Sequence, residues 1–562
     1  MPHIQSKSLL DKPLQDKPLA HQRSVHVSHP PHSGSKRRST PLIQANSVSY
    51  QFDDGEYLFQ GISCTLNHRR IGLVGRNGVG KSIFASLLIK QLEPTHGSVL
   101  LNARVASYSQ LPSELLESEM SIAEYLKLDE VIMALDRVEA GECSEALFST
   151  IGEQWTVKGD LEQQLRAMKL PPDAHFPCRL LSGGQLARLR LWQLFQSDVE
   201  LLVLDEPSNH LDVDGRSWLV NQMQRFSGDL LLISHDRQLL REMDRIWELT
   251  TLGLTQFGGH FDFYLEQKNQ EVIAIERQIN SVTKQKKHIE TQAQKNKEKY
   301  EQRAAKGNAL RKTGGVPKIV LNQRRSDATA SVSNRLKNEG GRREQLREKE
   351  KSLRVRQEQL KTQKVYMAEG DSRARHWVTI VNGQLPYVQS NPINLQLSSS
   401  VKLHLEGGNG SGKSTLLKVM LGDVEHAGGE WRINAPLYYL DQHFGLMKAQ
   451  LSMLENVVLF CDGLLENDAR TLLAGIGFRR DDVHRTVNQL SGGEKMKLAM
   501  LVVSHQEKQP LLLLDEPDNH LDLDSKSILA DVLRQYKGPF VLVSHDADFV
   551  KESGVNQVYR LD

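Results

Sequence analysis

The segment Gly75–Ser82 reads GRNGVGKS, and the segment Gly407–Ser414 reads GGNGSGKS. A short apolar run precedes each segment and a helical pattern follows it, which is the context of a phosphate-binding loop. The glycines let backbone N–H groups wrap around phosphates, the lysine adds charge at the β and γ phosphates, and the serine offers a hydroxyl to Mg²⁺. Two such loops, with their lysines 332 residues apart, predict two nucleotide-binding domains of repeated sequence.

Four further stretches accompany each loop in the same order. In the first copy they are Gln110, LSGGQ (Leu181–Gln185), LLVLDEP (Leu201–Pro207) and SHD (Ser234–Asp236). In the second copy they are Gln442, LSGGE (Leu490–Glu494), LLLLDEP (Leu511–Pro517) and SHD (Ser544–Asp546). A chance match to one stretch is easy, whereas two complete sets in one order are not, so the pattern predicts two ATP sites.

Each set supplies side chains suited to the hydrolysis of a triphosphate. A carboxylate at the end of an apolar strand can hold Mg²⁺, and the glutamate after it can act as the general base for the attacking water. A histidine at the end of a further strand can contact the γ phosphate. The predicted catalytic residues are Glu206, Glu516, His235 and His545. The predicted Mg²⁺ ligands are Ser82, Gln110, Asp205, Ser414, Gln442 and Asp515.

The LSGG stretches form a second anion site, because a helix N-terminus with free N–H groups attracts phosphate. Such a site is redundant if each domain encloses its own ATP, but it makes sense if each domain closes on the nucleotide of the other. The predicted nucleotide-binding residues of the first copy are Gly75, Asn77, Gly78, Gly80, Lys81, Ser82, Gln110, Ser182, Gly183 and Gly184. Those of the second copy are Gly407, Asn409, Gly410, Gly412, Lys413, Ser414, Gln442, Ser491, Gly492 and Gly493.

The composition favours a soluble α/β protein of two to four domains. The chain has 562 residues, and short apolar strands alternate with helical stretches, which predicts parallel sheets with crossover helices. The four cysteines are widely spaced without a CxxC pair, which fits a reducing compartment. We find no apolar run near the roughly 18 residues needed to cross a bilayer and no signal peptide. We therefore expect a cytoplasmic location.

A basic segment separates the two sets. Residues 267–364 contain 26 Lys or Arg and 11 Asp or Glu, a net charge of +15, although the whole chain carries only +2. Apolar residues at heptad spacing (Val272, Ile275, Ile279, Val282 and Ile289, then Leu346, Leu353 and Leu360) predict two long antiparallel helices with an irregular basic tip. We expect Gly307, with Gly314, Gly315 and Pro317, to break the helix at this tip, and Gly340 and Gly341 to bend the second helix or start it late. The predicted domains are a disordered tail (1–40), a first domain (41–265), a helical linker (266–368) and a second domain (369–562).

Taken together, these motifs resemble the ABC-F family of ATP-binding cassette proteins, on the evidence of both sets, the EPSNHLD and EPDNHLD runs and the basic linker. The resemblance implies two cassettes paired head to tail within a monomer, with two ATP molecules and Mg²⁺ between them. One site would join Lys81, Asp205 and Glu206 to Ser491 and Gly493, and the other would join Lys413, Asp515 and Glu516 to Ser182 and Gly184. It also implies an ATPase that binds ribosomes and inserts the linker near the tRNA exit site.

Two other functions fit parts of the sequence. A motor subunit of a membrane transporter would explain the paired ATP sites, and a DNA-maintenance ATPase would explain the basic linker. Some positions also depart from the family pattern. Asp518 stands where the family usually has Thr and where the first copy has Ser208, so we expect a negative charge near the second triphosphate. Phe52 or Tyr50 could stack on adenine in the first copy, and Tyr387 is a weaker candidate in the second.

Overall fold

The computed structural model describes residues 41–109, 119–209, 211–313, 337–338, 340–354, 356, 377–387, 391–441, 447–461, 463–478, 480–506 and 510–561. The predictions for the N-terminal tail, for Gln110 and Gln442, for Leu360 and for the linker tip lie outside the described residues. The domain boundaries stay a prediction.

The first domain contains a parallel sheet and a smaller antiparallel sheet. Its strands are β1 (Ile43–Gln51), β2 (Tyr57–Leu66), β3 (Arg70–Val74), β4 (His96–Leu101), β5 (Val105–Tyr108), β6 (Leu201–Asp205), β7 (Asp229–Ile233), β8 (Arg245–Thr250) and β9 (Gly253–Gly258). The larger sheet has the order β5-β6-β7-β3-β8-β9, and only β9 pairs antiparallel in it. The smaller sheet has the order β2-β1-β4.

The second domain repeats this plan. Its strands are β10 (Val378–Gln384), β11 (Ile393–Leu397), β12 (Lys402–Glu406), β13 (Gly428–Ile433), β14 (Leu437–Leu440), β15 (Leu511–Asp515), β16 (Phe540–Val543) and β17 (Gln557–Arg560). The parallel sheet has the order β14-β15-β16-β12-β17 and the antiparallel sheet the order β11-β10-β13. Strand for strand, β14 to β17 and β12 match β5 to β8 and β3, so the predicted repeat of an α/β fold is confirmed.

Helices cover the sheets and join the two domains. Those of the first domain are α1 (Lys81–Leu88), α2 (Ile122–Leu126), α3 (Asp129–Glu139), α4 (Glu145–Ile151), α5 (Val157–Ala167), α6 (Gly183–Gln196), α7 (Val213–Arg225) and α8 (Arg237–Arg241). The linker contains α9 (Phe261–Thr313) and α10 (340–354). Those of the second domain are α11 (Lys413–Leu421), α12 (Met453–Phe460), α13 (Glu466–Gly475), α14 (Gly492–Ser504), α15 (Leu523–Gln535) and α16 (Ala547–Glu552).

Continuous apolar strands form the centre of each parallel sheet. Every residue of Leu511–Leu514 is fully buried, and those of Leu201–Leu204 are at most 2% exposed. A strand that is covered on both faces needs no polar alternation, which is why these strands read as unbroken apolar runs. The residues that follow these central strands therefore lie together at one edge of each sheet. The strands concerned are β3, β6 and β7 in the first domain and β12, β15 and β16 in the second.

The linker helices pack along the predicted heptad seam. Ile275, Ile279 and Val282 are buried, and their neighbours on the other faces are mostly exposed. Cross-helix ion pairs join Arg356 to Glu271, Lys286 to Glu350 and Arg343 to Glu290. Because the partner numbers fall along one helix as they rise along the other, the two helices run antiparallel.

The linker differs from the sequence prediction at its glycines. We expected Gly307 to break the first helix, but α9 is 53 residues long and continues through it to Thr313. We also expected Gly340 and Gly341 to bend or delay the second helix, yet both are helical. A glycine costs a helix only about 1 kcal/mol relative to alanine, so side-chain packing along the seam can override it. In the part of the chain that the structure describes, no helix combines the length and apolar character needed to span a membrane.

Candidate nucleotide sites

The two phosphate-binding loops fold as the glycine pattern predicts. Each loop leaves a central parallel strand and enters a helix through a left-handed glycine, with φ of 94° at both Gly80 and Gly412. The Lys81 ammonium lies inside its loop, where Nζ donates to the carbonyl oxygens of Gly75 (2.9 Å) and Arg76 (3.2 Å). Lys413 makes the equivalent pair of bonds. Burial lowers the pKa of both lysines, and a phosphate between the loop and the ammonium would stabilise the charge.

Both predicted general bases have a strained backbone. Glu206 and Glu516 have φ of 47° and 49°, a left-handed conformation that is unfavourable for residues other than glycine. In each case the sheet holds the residue there, since Glu206 N–H donates to Ile233 O (2.8 Å) and Glu516 N–H donates to Val543 O (3.0 Å). Such strain costs on the order of 1–3 kcal/mol and persists where the surroundings impose it, commonly at functional sites. Its recurrence at the same position in both halves supports the catalytic assignment.

The two glutamates differ in their surroundings. Glu206 Oε1 is fully buried, makes no hydrogen bond among the described residues, and lies 3.6 Å from His235 Nε2. Burial raises the pKa of Glu206 to about 7, although the Lys81 charge opposes the shift. In the second site the His545 ring lies 3.4 Å from Glu516 Oε1, and this contact holds the pKa of Glu516 below its ordinary value. The two bases therefore start in different protonation states near neutral pH.

The predicted Mg²⁺ ligands fit that ion at the first site. The Ser82 hydroxyl bonds to the Asp205 carboxylate, so the two oxygens lie together beneath the loop. One carboxylate and one hydroxyl, completed by phosphate oxygens and water, is a donor set that Mg²⁺ accepts. At the second site the Tyr439 hydroxyl donates to Asp515 Oδ2 (3.0 Å). The equivalent residue of the first domain is Ser107, whose side chain is too short to make the same bond to Asp205.

Each LSGG serine begins a helix. Ser182 and Ser491 are the N-caps of α6 and α14, and both helices begin with a capping box. Gln185 completes the first box and Glu494 the second, which explains why the fifth residue of the motif can differ between the copies. The first N–H groups of both helices keep the orientation that attracts an anion.

The first phosphate-binding loop contacts the second domain directly. Asn77 Nδ2 donates to His520 O (2.7 Å), and the Asn77 N–H donates to Asp522 Oδ2 (3.1 Å). The other side of the Asn77 amide lies 3.1 Å from His235 Nε2. Burial lowers the pKa of His235 well below its ordinary value, so this ring is neutral. Loop, histidine and the NHLD run of the opposite domain therefore meet at one site.

The second site faces the first domain in the same way. Arg216 Nη1 donates to His545 O (3.2 Å), and the charge of Asp212 favours the charged form of Lys413. Asp212 also bonds Arg188 of α6, the helix that begins with the first LSGG stretch. Each nucleotide region therefore lies against the opposite domain, as a head-to-tail pair requires.

Comparison with known proteins agrees with this geometry. The family model described as ABC transporter matches residues 59–209 and 390–519, which together make up half of the chain. The chain belongs to the ATP-binding cassette family. One match lies in each α/β unit, so each domain is a cassette, and the chain is an ATPase.

The curated relatives include proteins of the F type, which confirms the resemblance seen in the sequence. The putative ATP-binding protein YdiF of Bacillus subtilis is 28% identical over 91% of this chain and 78% of its own length. The ribosome protection protein VmlR of Bacillus subtilis is 27% identical over 91% of this chain and 85% of its own. ABC transporter F family member 5 of Arabidopsis thaliana is 28% identical over 88% and 71%.

A solved structure shows the same fold. It is a complex of archaeal ribosomal stalk protein aP1 with archaeal ribosome recycling factor aABCE1, with a TM-score of 0.54 and 17% identity over 92% of this chain and 87% of the solved chain. At that identity the likeness extends to the arrangement of two cassettes and no further.

Asp518 lies in a buried network between the cassettes. Its side chain is about 1% exposed, its Oδ2 lies 3.8 Å from Lys526 Nζ, and the same ammonium lies 3.0 Å from Asp546 Oδ2. On the first-cassette side of the interface, Arg216 pairs with Asp236 at 3.3 Å. We call these five residues the interface network. The Asp518 carboxylate thus faces a lysine, and the extra charge that we expected near the second triphosphate has a partner.

The sequence analysis missed several residues of the cassette interface. Asp522, Lys526 and Arg216 were not singled out, nor was Asp524, which pairs with Arg76. A usable signal did exist, because Arg216 and Lys526 occupy equivalent positions 310 residues apart and both are cations in otherwise ordinary helices. Tyr50 and Phe52 do lie together, with ring centroids 5.7 Å apart, whereas Tyr387 is almost fully exposed. The adenine-stacking role stays a prediction for all three.

Proposed function

We propose that this chain is a cytoplasmic, ATP-gated factor that binds the ribosome and acts on translation or protects ribosomes, including against antibiotics. The observation that carries the proposal is the similarity to a ribosome protection protein over 91% of this chain, too long a stretch to be confined to one cassette. The basic linker supports it, because a net charge of +15 over residues 267–364 suits a polyanionic partner such as ribosomal RNA.

In this proposal ATP and Mg²⁺ join the two cassettes of one monomer. The triphosphate at the first loop would take the place of the Asp522 carboxylate at the Asn77 N–H and would also contact the helix that begins at Ser491. Glu206 and Glu516 would then activate the attacking waters. ATP binding closes the cassettes and fixes the linker for ribosome binding near the tRNA exit site, and hydrolysis releases it.

The described part of the linker presents its charge to solvent. Ile275, Ile279 and Val282 of α9 are buried in the seam with α10, and most of the basic side chains lie outside it. The exposed cations include Lys284, Lys287, Lys295, Lys299, Arg303, Lys306, Arg342, Arg347 and Lys349. Such a surface neutralises phosphates without reading base sequence, which fits binding to a folded RNA by position and shape.

The decisive experiment removes hydrolysis while leaving nucleotide binding in place. We expect the double variant Glu206→Gln with Glu516→Gln to sediment with ribosomes in ATP but not in ADP, and to slow translation in a cell-free system. The matched control, Glu145→Gln with Glu425→Gln, removes one exposed carboxylate from each cassette and should behave as the wild type. If the double variant binds ATP but stays at the top of the gradient, the proposal fails.

A second experiment separates RNA from other partners. Lys295→Glu with Lys299→Glu should lower ribosome affinity and reduce the slope of log affinity against log salt by roughly 2, since each phosphate contact contributes about one unit. Arg225→Glu with Lys418→Glu makes the same charge change on the cassettes and should leave the slope unchanged. Nucleotide-dependent retention on duplex DNA rather than on ribosomes would instead support a DNA-maintenance ATPase.

A further inference from the structure

One carboxylate of the second cassette touches both the first ATP site and the linker. Asp524 lies in the first turn of α15, where its Oδ2 is 3.3 Å from Arg76 Nε and its Oδ1 is 3.5 Å from Lys268 Nζ. Arg76 belongs to the phosphate-binding loop of the first cassette, and Lys268 belongs to the start of α9. We call Arg76, Asp524 and Lys268 the linker-base bridge.

The linker side of this bridge is held rigidly. Phe261 and Tyr264, in the first turn of α9, are buried in the core of the first cassette. Lys268 Nζ also donates to Glu248 Oε1 (2.8 Å), and the Tyr264 hydroxyl donates to the same oxygen (3.0 Å). The base of the linker therefore moves with the first cassette, and Asp524 ties the second cassette to that base.

Phosphate binding must disturb the residues next to the bridge. The Asn77 N–H, which a phosphate would use, is occupied by Asp522, two residues before Asp524. Lys81 donates to the carbonyl oxygen of Arg76, so a phosphate that draws the ammonium toward itself also acts on Arg76. Both changes act on the residues that position Arg76 and Asp524. A cavity of about 560 Å³ borders the bridge, so these side chains can exchange partners without displacing core residues.

The second ATP site has no equivalent of this arrangement. Gly408 occupies the position of Arg76, so the second loop has no side chain at that position to pair with a carboxylate. Asp214 occupies the position of Asp524, but it pairs with Lys169 of its own cassette. The duplicated halves thus differ at the residues that could connect a nucleotide to the linker.

We propose that Asp524 is a positioning residue that couples nucleotide in the first ATP site, but not in the second, to the orientation of the linker relative to the second cassette. The inference deepens the proposed function and rests on it, since an ATP-gated linker is what the coupling would control. Phosphate at the first loop displaces Asp522 and shifts Asp524, and Lys268 transmits that shift to α9.

The test is a distance measurement in the full chain. Spin labels are placed on Gln278→Cys in the linker and Glu425→Cys in the second cassette, both exposed sites, after Cys143→Ser removes the exposed cysteine. Pulsed electron resonance then gives the distance between the labels with ADP and with ATP, with both general bases changed to glutamine so that ATP persists. Ribosome sedimentation is run on the same samples.

We expect ATP to shift the distance in the parent protein and in Lys413→Ala, which disables the second site, but not in Lys81→Ala. Asp524→Asn should lose more than half of the shift, and Asp524→Glu should restore it. Asp214→Asn, the equivalent change in the other half, should keep the full shift. Equilibrium dialysis measures ATP binding by Asp524→Asn and should show that the first site still fills.

A full shift in Asp524→Asn, or a full shift in Lys81→Ala, would overturn the inference. The sedimentation results keep this failure separate from failure of the proposed function. An Asp524-dependent shift in a protein that never binds ribosomes supports the coupling and rejects the proposed partner. Ribosome binding together with a distance shift that Asp524→Asn leaves unchanged supports the proposed partner and rejects the coupling.

Discussion

The two ATP sites should differ in their dependence on pH, because Glu206 and Glu516, the predicted general bases, have opposite pKa shifts. Burial raises the pKa of Glu206 to about 7, and its Oε1 has no hydrogen-bond donor among the residues described. The contact with His545 and a hydrogen bond from Asn519 lower the pKa of Glu516. A general base works only when it is ionised, so the first site should gain activity as pH rises through neutrality.

Single variants isolate each site. Glu516→Gln leaves Glu206 as the only base, and a group with a pKa of about 7 is roughly 10% ionised at pH 6 and roughly 90% ionised at pH 8. We therefore expect kcat/KM of this variant to rise about ninefold over that interval. Glu206→Gln leaves Glu516, which is already ionised at pH 6, so its kcat/KM should be nearly constant.

Phosphate release at ATP concentrations below KM is the appropriate assay, since kcat/KM reports the pKa of the free enzyme, the state seen in the structure. Buffers of constant ionic strength from pH 5.5 to 8.5 exclude salt effects on ATP binding. The reasoning would be refuted if kcat/KM depended on pH in the same way in both variants. It would also be refuted if kcat/KM rose near neutral pH only in Glu206→Gln.

Four further substitutions test the packing of the cassettes and of the linker. Lys526→Met leaves the buried carboxylates of Asp518 and Asp546 without their cation and should lower the free energy of unfolding by about 3–5 kcal/mol. Asp518→Asn leaves the bond between Lys526 and Asp546 in place and should cost far less. Urea denaturation measures both free energies. Ser491→Ala removes an N-cap and should cost about 1 kcal/mol of stability while raising KM for ATP, as measured by melting and by turnover. Ile279→Ala, in the linker seam, should cost about 2 kcal/mol and speed hydrogen exchange in α9 and α10, with the cassettes unchanged.

Most of the cassette fold could be read from the sequence, because several strands at the centre of the parallel sheets are unbroken apolar runs. Leu201–Leu204 and Leu511–Leu514 illustrate this, since burial on both faces leaves no other reading for such segments. The glycines of the two phosphate-binding loops also predicted where the backbone turns, because a left-handed backbone conformation favours glycine. Local chemistry determined these features, so local sequence was sufficient to predict them.

Contacts between the halves could not be read in this way. Asp524 looks like an ordinary acidic residue in the first turn of a helix, where its negative charge would interact favourably with the helix dipole. Only the fold brings it to Arg76, 448 residues earlier in the chain. The protonation difference between Glu206 and Glu516 is equally invisible in the sequence, since both residues end identical LDE runs and differ only in what surrounds them.

The asymmetry of the two sites has a consequence for the order of events. Near neutral pH about half of the Glu206 population is protonated and unable to activate water, while Glu516 is ionised. The first site should then hold ATP longer than the second. The first site is also the one that Arg76 and Asp524 connect to the linker. The site that positions the linker is thus the slower one, so hydrolysis at the second site would leave the linker in place, and its release would wait for the first.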